Sequence, residues 1–200
     1  MIVIGLIAWP LIFPVLAAML AVEAGYQVAL MAPTEILAEQ HFITFQRWLA
    51  PLGLEVAWLA GKLKGKARAA ALEQIAGGTP MVVGTHALFQ DEVQFKRLAL
   101  VIIDEQHRFG VQQRLALRNK GIDGRLSPHQ LIMTATPIPR TLAMSAYADL
   151  DTSILDELPP GRTPVNTLVI ADSRRLEVVE RVRLACREGR QAYWVCTLIE

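Results

Sequence analysis

The chain has 200 residues, with 20 Lys and Arg against 19 Asp and Glu, a formal net charge of +1. That balance excludes a histone-like polycation, so any nucleic-acid contact must come from a local basic face. Two cysteines and 20% charged residues exclude a disulfide scaffold and a disordered polyelectrolyte, and the length suffices for one sizeable core.

Hydrophobic residues make up 52% of the chain, and the excess is local. Residues 1–22 hold 19 of them and no ionisable side chain; the first charge is Glu23 and the first basic residue Arg47. About 20 apolar residues can span a bilayer. Yet no Lys or Arg flanks the stretch to orient it, and a secretory signal wants a basic leading region. The other reading is a buried strand over Ile2–Trp9, bounded by Pro10, and a buried helix over Val15–Ala24 ended by Gly25. The remainder of the chain has the character of a cytoplasmic enzyme, which favours that reading and no membrane partner.

After Gly25 apolar runs alternate with helical stretches, the pattern of a parallel sheet covered by helices. Gln27–Ala32 reads as a strand. A helix follows from Glu35 to Leu49, with Thr34 as N-cap and Glu35 in the first turn, where the helix dipole favours a carboxylate. Glu55–Ala60 is a strand and Lys64–Ala76 a helix stopped by Gly77-Gly78. Met81–Gly84, Leu98–Ile103 and Leu131–Thr134 are continuous apolar runs, as expected of strands buried on both faces. A helix is expected over Leu142–Tyr147. Pro159-Pro160-Gly161 and Pro164 then break the pattern, so residues 1–157 read as one domain and 158–164 as a linker. Residues 165–200 read as the start of a second domain: strand Val165–Ala171, helix Arg174–Glu188, strand Gln191–Thr197. Cys186 and Cys196 are expected there as small, buried, reduced residues. The fold class is α/β.

In open α/β sheets ligands bind at the carboxyl ends of the strands, so the polar residues directly after each apolar run matter most. Asp104-Glu105-Gln106-His107 follows Leu100–Ile103. An aspartate there can hold Mg²⁺, and a neighbouring glutamate can polarise a water for attack on phosphate; a strand can also simply end in two acids. Thr134-Ala135-Thr136, running into Pro137–Thr141 with Arg140, offers hydroxyls that can hydrogen-bond acids on the adjacent strand, or forms an ordinary turn. Pro33-Thr34 can present helix N–H groups to a phosphate backbone or serve as a plain cap. Gly84-Thr85-His86 ends another strand, where glycine lets a backbone come close. The four histidines (His41, His86, His107, His129) are scattered, which favours core or surface roles over metal ligation, with His107 the one candidate. Basic residues cluster at Lys62, Lys64, Lys66 and Arg68, and again at Arg108, Arg114, Arg118, Lys120 and Arg125; solvated helix faces account for such clusters, and so does a phosphate backbone.

The order of these segments carries more than any one of them. APTEILAEQH (Ala32–His41), VVGTHALFQ (Val82–Gln90), VIIDEQHRFG (Val101–Gly110) and MTATPIPRTLAM (Met133–Met144) resemble motifs Ia, Ib, II and III of superfamily 2 helicases, and their wording is similar to the RecG family of branched-DNA helicases. The resemblance implies a RecA-like, P-loop NTPase type of fold and ATP-dependent unwinding or remodelling of forked or branched DNA, with ATP and Mg²⁺ as cofactors and no obligate protein partner. It implies that Asp104 organises Mg²⁺ and Glu105 activates the hydrolytic water. Gln106, His107, Thr134, Thr136 and Arg140 would couple nucleotide state to movement, and Pro33, Thr34, Gly84, Thr85 and His86 would touch the DNA.

One part of that pattern is missing. Such an enzyme carries G-x-x-x-x-G-K-[ST] between its first strand and first helix. Here the slot falls at Trp9–Pro14, WPLIFP, with no Gly, Lys, Ser or Thr, and its two prolines lack N–H groups. Losing four charge-assisted hydrogen bonds removes on the order of 6 kcal/mol, roughly 10⁴-fold in nucleotide affinity. The expectation is therefore a piece of such a helicase whose first thirteen or so residues are not family sequence and which does not hydrolyse ATP alone. A non-catalytic DNA-binding remnant and a protein tethered to membranes through residues 1–22 are the alternatives.

Overall fold

The computed structural model describes residues 4–105, 127–134, 153 and 165–195, with side chains from residue 12 onward. By its contacts the chain divides into Met1–Glu157 and Leu158–Glu200.

The first unit is built on five parallel strands: β1 (Gln27–Met31), β2 (Val56–Leu59), β3 (Met81–Gly84), β4 (Leu98–Asp104) and β5 (His129–Met133). They lie in the order β2-β3-β1-β4-β5. Because successive side chains alternate across the pleat, each strand feeds two cores. Ala29 and Met31 of β1 join Leu59, Val82, Val101 and Ile103 on one face, where they meet Ala71 and Ile75 of α3 (Gly65–Gly77). Val28 and Leu30 join Met81, Val83, Leu100 and Ile102 on the other, beneath α1 (Ile4–Glu23) and α2 (Glu35–Leu49). Helices on both faces bury β1 completely, which is why its sequence is an unbroken apolar run after Gln27.

Helix α2 has the bounds that its sequence predicts. The Thr34 side chain accepts a hydrogen bond from the Leu37 N–H at 3.3 Å, and the stripe Ala38, His41, Phe45, Leu49 faces inward at helical spacing.

The N-terminal segment departs from its expected form. The strand Ile2–Trp9 does not occur among the described residues; from Ile4 the chain is one helix that runs through Pro10 and Pro14 to Glu23. A helix satisfies most of its own N–H and C=O groups, whereas a strand needs a neighbouring ladder. From Val15 to Val22 it also lays apolar side chains on the sheet, with Ala18 2% exposed. Gly25, at φ 80°, closes it as expected: its N–H reaches the Val22 carbonyl at 2.9 Å and the Tyr26 N–H that of Ala21 at 3.0 Å, a left-handed C-cap that favours glycine. Among the described residues no helix is long and apolar enough to cross a membrane.

In the second unit the described residues hold a short 3₁₀ turn (Asp172–Arg174) and helix α4 (Arg175–Arg187). The helix matches its expected span. The strands expected at Val165–Ala171 and Gln191–Thr197 are not formed at 165–171 or 191–195. Neither finds a ladder partner among the described residues, and Val165, Leu168, Val169, Tyr193 and Val195 stand exposed. Cys186 is exposed rather than buried, and no residue of α4 is buried among the described residues. The helix expected at Leu142–Tyr147, the linker 158–164, Thr197 and Cys196 lie outside the described residues.

Candidate functional site at the carboxyl edge of the sheet

Strand register sets out the site. Met31 of β1 lies level with Gly84 of β3 on one side and Ile103 of β4 on the other, and Asp104 lies level with Met133 of β5. The residues that follow these strands therefore form a row along one edge: Gly84-Thr85-His86, then Ala32-Pro33-Thr34, then Asp104-Glu105, then Thr134. The order of strands sorts them, with both acids and the hydroxyl on the β4–β5 side and the segments expected to meet DNA on the β3–β1 side.

On the acid side, Asp104 ends β4 and Glu105 turns the chain away from it. Glu105 has φ 51°, the one non-glycine residue in the left-handed region among those described. This conformation costs an L-residue on the order of 1–2 kcal/mol and is held here from both ends. The Glu105 N–H donates to the Met133 carbonyl at 2.9 Å, and its Oε2 accepts from the Thr134 hydroxyl at 3.1 Å. The hydrogen bond that the sequence allowed between the two motifs is thus formed.

Asp104 has a partner that sequence reasoning missed. The Oδ2 atom lies 2.7 Å from Nε2 of His41, which is 7% exposed on the inner face of α2. A signal for it existed: His41 falls in the buried stripe 38, 41, 45, 49, and a buried polar side chain needs a partner.

On the other side, Thr34 is exposed and caps α2, and Pro33 is half-buried beside it. Gly84 is fixed by close approach of the chain to itself. A Cβ there would sit 2.1 Å from the Leu59 carbonyl oxygen and 3.1 Å from its carbon. Thr85 is 3% exposed, and its hydroxyl has no hydrogen-bond partner among the described residues. His86 is exposed. In the first basic cluster Lys62 pairs with Glu35 and Arg68 with Glu92 and Gln90, leaving Lys64 and Lys66 as exposed charges beside them. The hydrogen bond that Lys62 donates to Glu35, then the charge of that carboxylate, raises the Lys62 ammonium above its ordinary pKa. Gln106, His107, Thr136, Arg140 and the second basic cluster lie outside the described residues.

Two ligands can be tested against these residues. A hard cation such as Mg²⁺ takes one or two carboxylates and completes its shell with water or phosphate oxygens. Asp104 and Glu105, adjacent at the sheet edge, fit that donor set. Among the described residues no group of three or more His, Cys, Asp or Glu could enclose a metal. The triphosphate does not fit as in a P-loop enzyme. Trp9–Pro14 lies inside α1, where backbone N–H groups are spent on the helix's own carbonyls, and Pro10 and Pro14 have none to give.

A sequence model of the DEAD/DEAH box helicase family matches residues 11–145. The ATP-dependent DNA helicase RecG of Escherichia coli O127:H6 is 71% identical over 187 residues, 92% of this chain and 27% of its own length. RecG of Synechocystis is 50% identical over 187 residues, 93% of this chain and 22% of its own length. Among solved structures, RecG bound to a three-way DNA junction aligns at a TM-score of 0.70 with 42% identity, over 87% of this chain and 23% of that one. Mss116p bound to single-stranded RNA and AMP-PNP aligns at 0.54 with 12% identity, over 70% of this chain and 27% of that one, a likeness of fold alone. The chain spans about a quarter of the length of the curated relatives it matches. The ordered motifs, the α/β sheet with acids at its carboxyl edge, and a family match over two thirds of the residues agree: the chain belongs to the DEAD/DEAH box helicase family and is similar to one segment of RecG.

Proposed function

We propose that this chain forms the acid-bearing, DNA-facing part of an ATP-dependent helicase that acts on branched DNA in the cytoplasm, and that by itself it does not turn over ATP. The observation that carries the reading is the Thr134–Glu105 hydrogen bond, which joins the segments resembling motifs II and III at the sheet edge. The choice of branched DNA rests on similarity to RecG, whose solved complex contains a three-way junction.

In this reading Asp104 holds Mg²⁺ and Glu105 orients a water and takes its proton. Bound Mg²⁺ supplies positive charge for phosphate oxygens. Thr134 fixes the Glu105 carboxylate, and Gln106, His107, Thr136 and Arg140 pass a change at that carboxylate to the rest of the domain. Pro33, Thr34, Gly84, Thr85 and His86 line the path of a DNA backbone on the β3–β1 side. Thr34 and His86 offer exposed side chains, while Gly84 and Thr85 act through the main chain. Residues 1–157 form a first RecA-like domain without its phosphate loop, 158–164 a linker, and 165–200 part of a second.

Fluorescence anisotropy of a labelled fork tests the reading. The purified chain should bind forked DNA with an affinity that falls steeply with salt and does not respond to ATP, because phosphate contacts dominate such binding. Absence of binding at low salt, or an affinity that ATP shifts severalfold, would contradict it.

A further inference from the structure

The geometry points to His41 as a positioning residue for Asp104: from the inner face of α2 it grips one carboxylate oxygen and aims the other at a divalent cation. The inference deepens the reading of Asp104 as the cation-holding carboxylate and rests on it.

Three observations carry it. First, His41 interrupts an otherwise apolar stripe. Its helical neighbours Ala38, Phe45 and Leu49 are aliphatic or aromatic and 0–2% exposed, and His41 itself is only 7% exposed. If the site needed only to be filled, an apolar side chain would fill it without desolvating an imidazole. Second, the ring spends its one described polar contact on Asp104. Nε2 lies 2.7 Å from Oδ2, at the short end of the range for hydrogen bonds to a charged acceptor. Nδ1 is buried with no partner among the described residues. An ionised carboxylate only accepts, so Nε2 carries the hydrogen and donates. Third, the chain's path sets this contact. Met31 is level with Ile103, so the turn Ala32-Pro33-Thr34 starts α2 beside the end of β4, and the second helical turn brings His41 over Asp104.

With Oδ2 held from within the protein, Oδ1 is the atom offered to the opening. The carboxylate of Asp104, with 19% of its side chain exposed, thereby keeps one rotamer at the edge of the sheet. Ligating carboxylates are commonly oriented by such hydrogen bonds, and removing the outer partner typically costs 10–100-fold in metal affinity. The same contact ties α2, whose first turn Thr34 caps on the DNA-facing side, to the acid that holds the cation.

The test uses the full 200-residue chain and Mn²⁺ as a paramagnetic stand-in for Mg²⁺, with free Mn²⁺ counted by electron paramagnetic resonance. His41→Ala and His41→Leu should each weaken Mn²⁺ binding about tenfold. His41→Gln, whose amide can donate from near the place of Nε2, should recover most of the loss. A group that merely filled space would give the opposite order, with Leu closest to the wild type. Asp104→Asn should abolish binding. Far-UV circular dichroism and urea midpoints for all four variants separate misfolding from loss of the contact, and a pair of folded variants, Gln against Leu, is enough to decide. The inference is overturned if His41→Leu binds Mn²⁺ as the wild type does, or if Gln stays as weak as Leu, while Asp104→Asn still abolishes binding. If Asp104→Asn binds Mn²⁺ as the wild type does, the reading of Asp104 itself fails and takes the inference with it.

Discussion

Gly84→Ala would measure how tightly the carboxyl end of the sheet is built at β2 and β3. The added Cβ would lie 2.1 Å from the Leu59 carbonyl oxygen, and the atom in its way is backbone, so strands β2 and β3 must part by about 1 Å. Overpacking of this kind costs about 1–3 kcal/mol. The shift also strains the bond from the Thr85 N–H to the Leu59 carbonyl, 3.2 Å long, for about 1 kcal/mol more. The sum is a loss of about 3 kcal/mol, which at about 2 kcal/mol per molar urea lowers the unfolding midpoint by roughly 1.5 M. Urea denaturation followed by far-UV circular dichroism reads this directly. A midpoint within about 0.5 M of the wild type would refute the reasoning, because the two strands would then have room that the structure denies them.

Other expectations rest on different parts of the first unit. Gln27 is 2% exposed, donates through Nε2 to the carbonyls of Ile75 (2.9 Å) and Thr79 (3.1 Å), and accepts at Oε1 from the N–H groups of Lys96 (2.7 Å) and Arg97 (3.0 Å). Gln27→Leu keeps the volume and removes all four bonds; the Ile75 carbonyl still accepts from the Gly78 N–H (3.1 Å), but the Thr79 carbonyl and the two N–H groups lose this partner, so stability should fall by about 3 kcal/mol in the same urea assay, and a loss below about 1 kcal/mol would mean that water satisfies them. Glu105→Gly relieves a left-handed backbone and should raise stability by about 1 kcal/mol while removing the proposed base. A loss of stability instead would show that the side chain's hydrogen bonds outweigh the backbone strain.

Much of the first unit was readable from local signals. The Thr34 cap and the spacing of Ala38, Phe45 and Leu49 marked α2, and unbroken apolar runs marked β1, β3 and β4, because strands covered on both faces have no polar side to show. The acids and Thr134 could be placed on one edge because ligands in parallel sheets gather at the strands' carboxyl ends. What escaped depended on partners distant in sequence. Ile2–Trp9 has a strand-like composition, but no local property says whether a ladder exists to receive it, and the helix that needs none prevailed through two prolines. Val165–Ala171 is not a strand for the same reason, since no ladder partner for it lies among the described residues. His41 looked like one of four scattered histidines, since its pairing spans 63 residues and is visible only once β4 lies beside β1. Gly84 ends a strand where glycine lets a backbone come close, and the backbone that comes close is the chain's own β2.

The absence of a phosphate cradle in α1 carries the whole account, and ATP turnover by the purified chain tests it most directly. With Mg²⁺ and forked DNA present, the wild type should release phosphate no faster than Glu105→Gln, consistent with a nucleotide affinity lowered by roughly 10⁴-fold. DNA-stimulated turnover in the wild type that disappears in Glu105→Gln would contradict it, since the chain would then be cradling triphosphate without the loop.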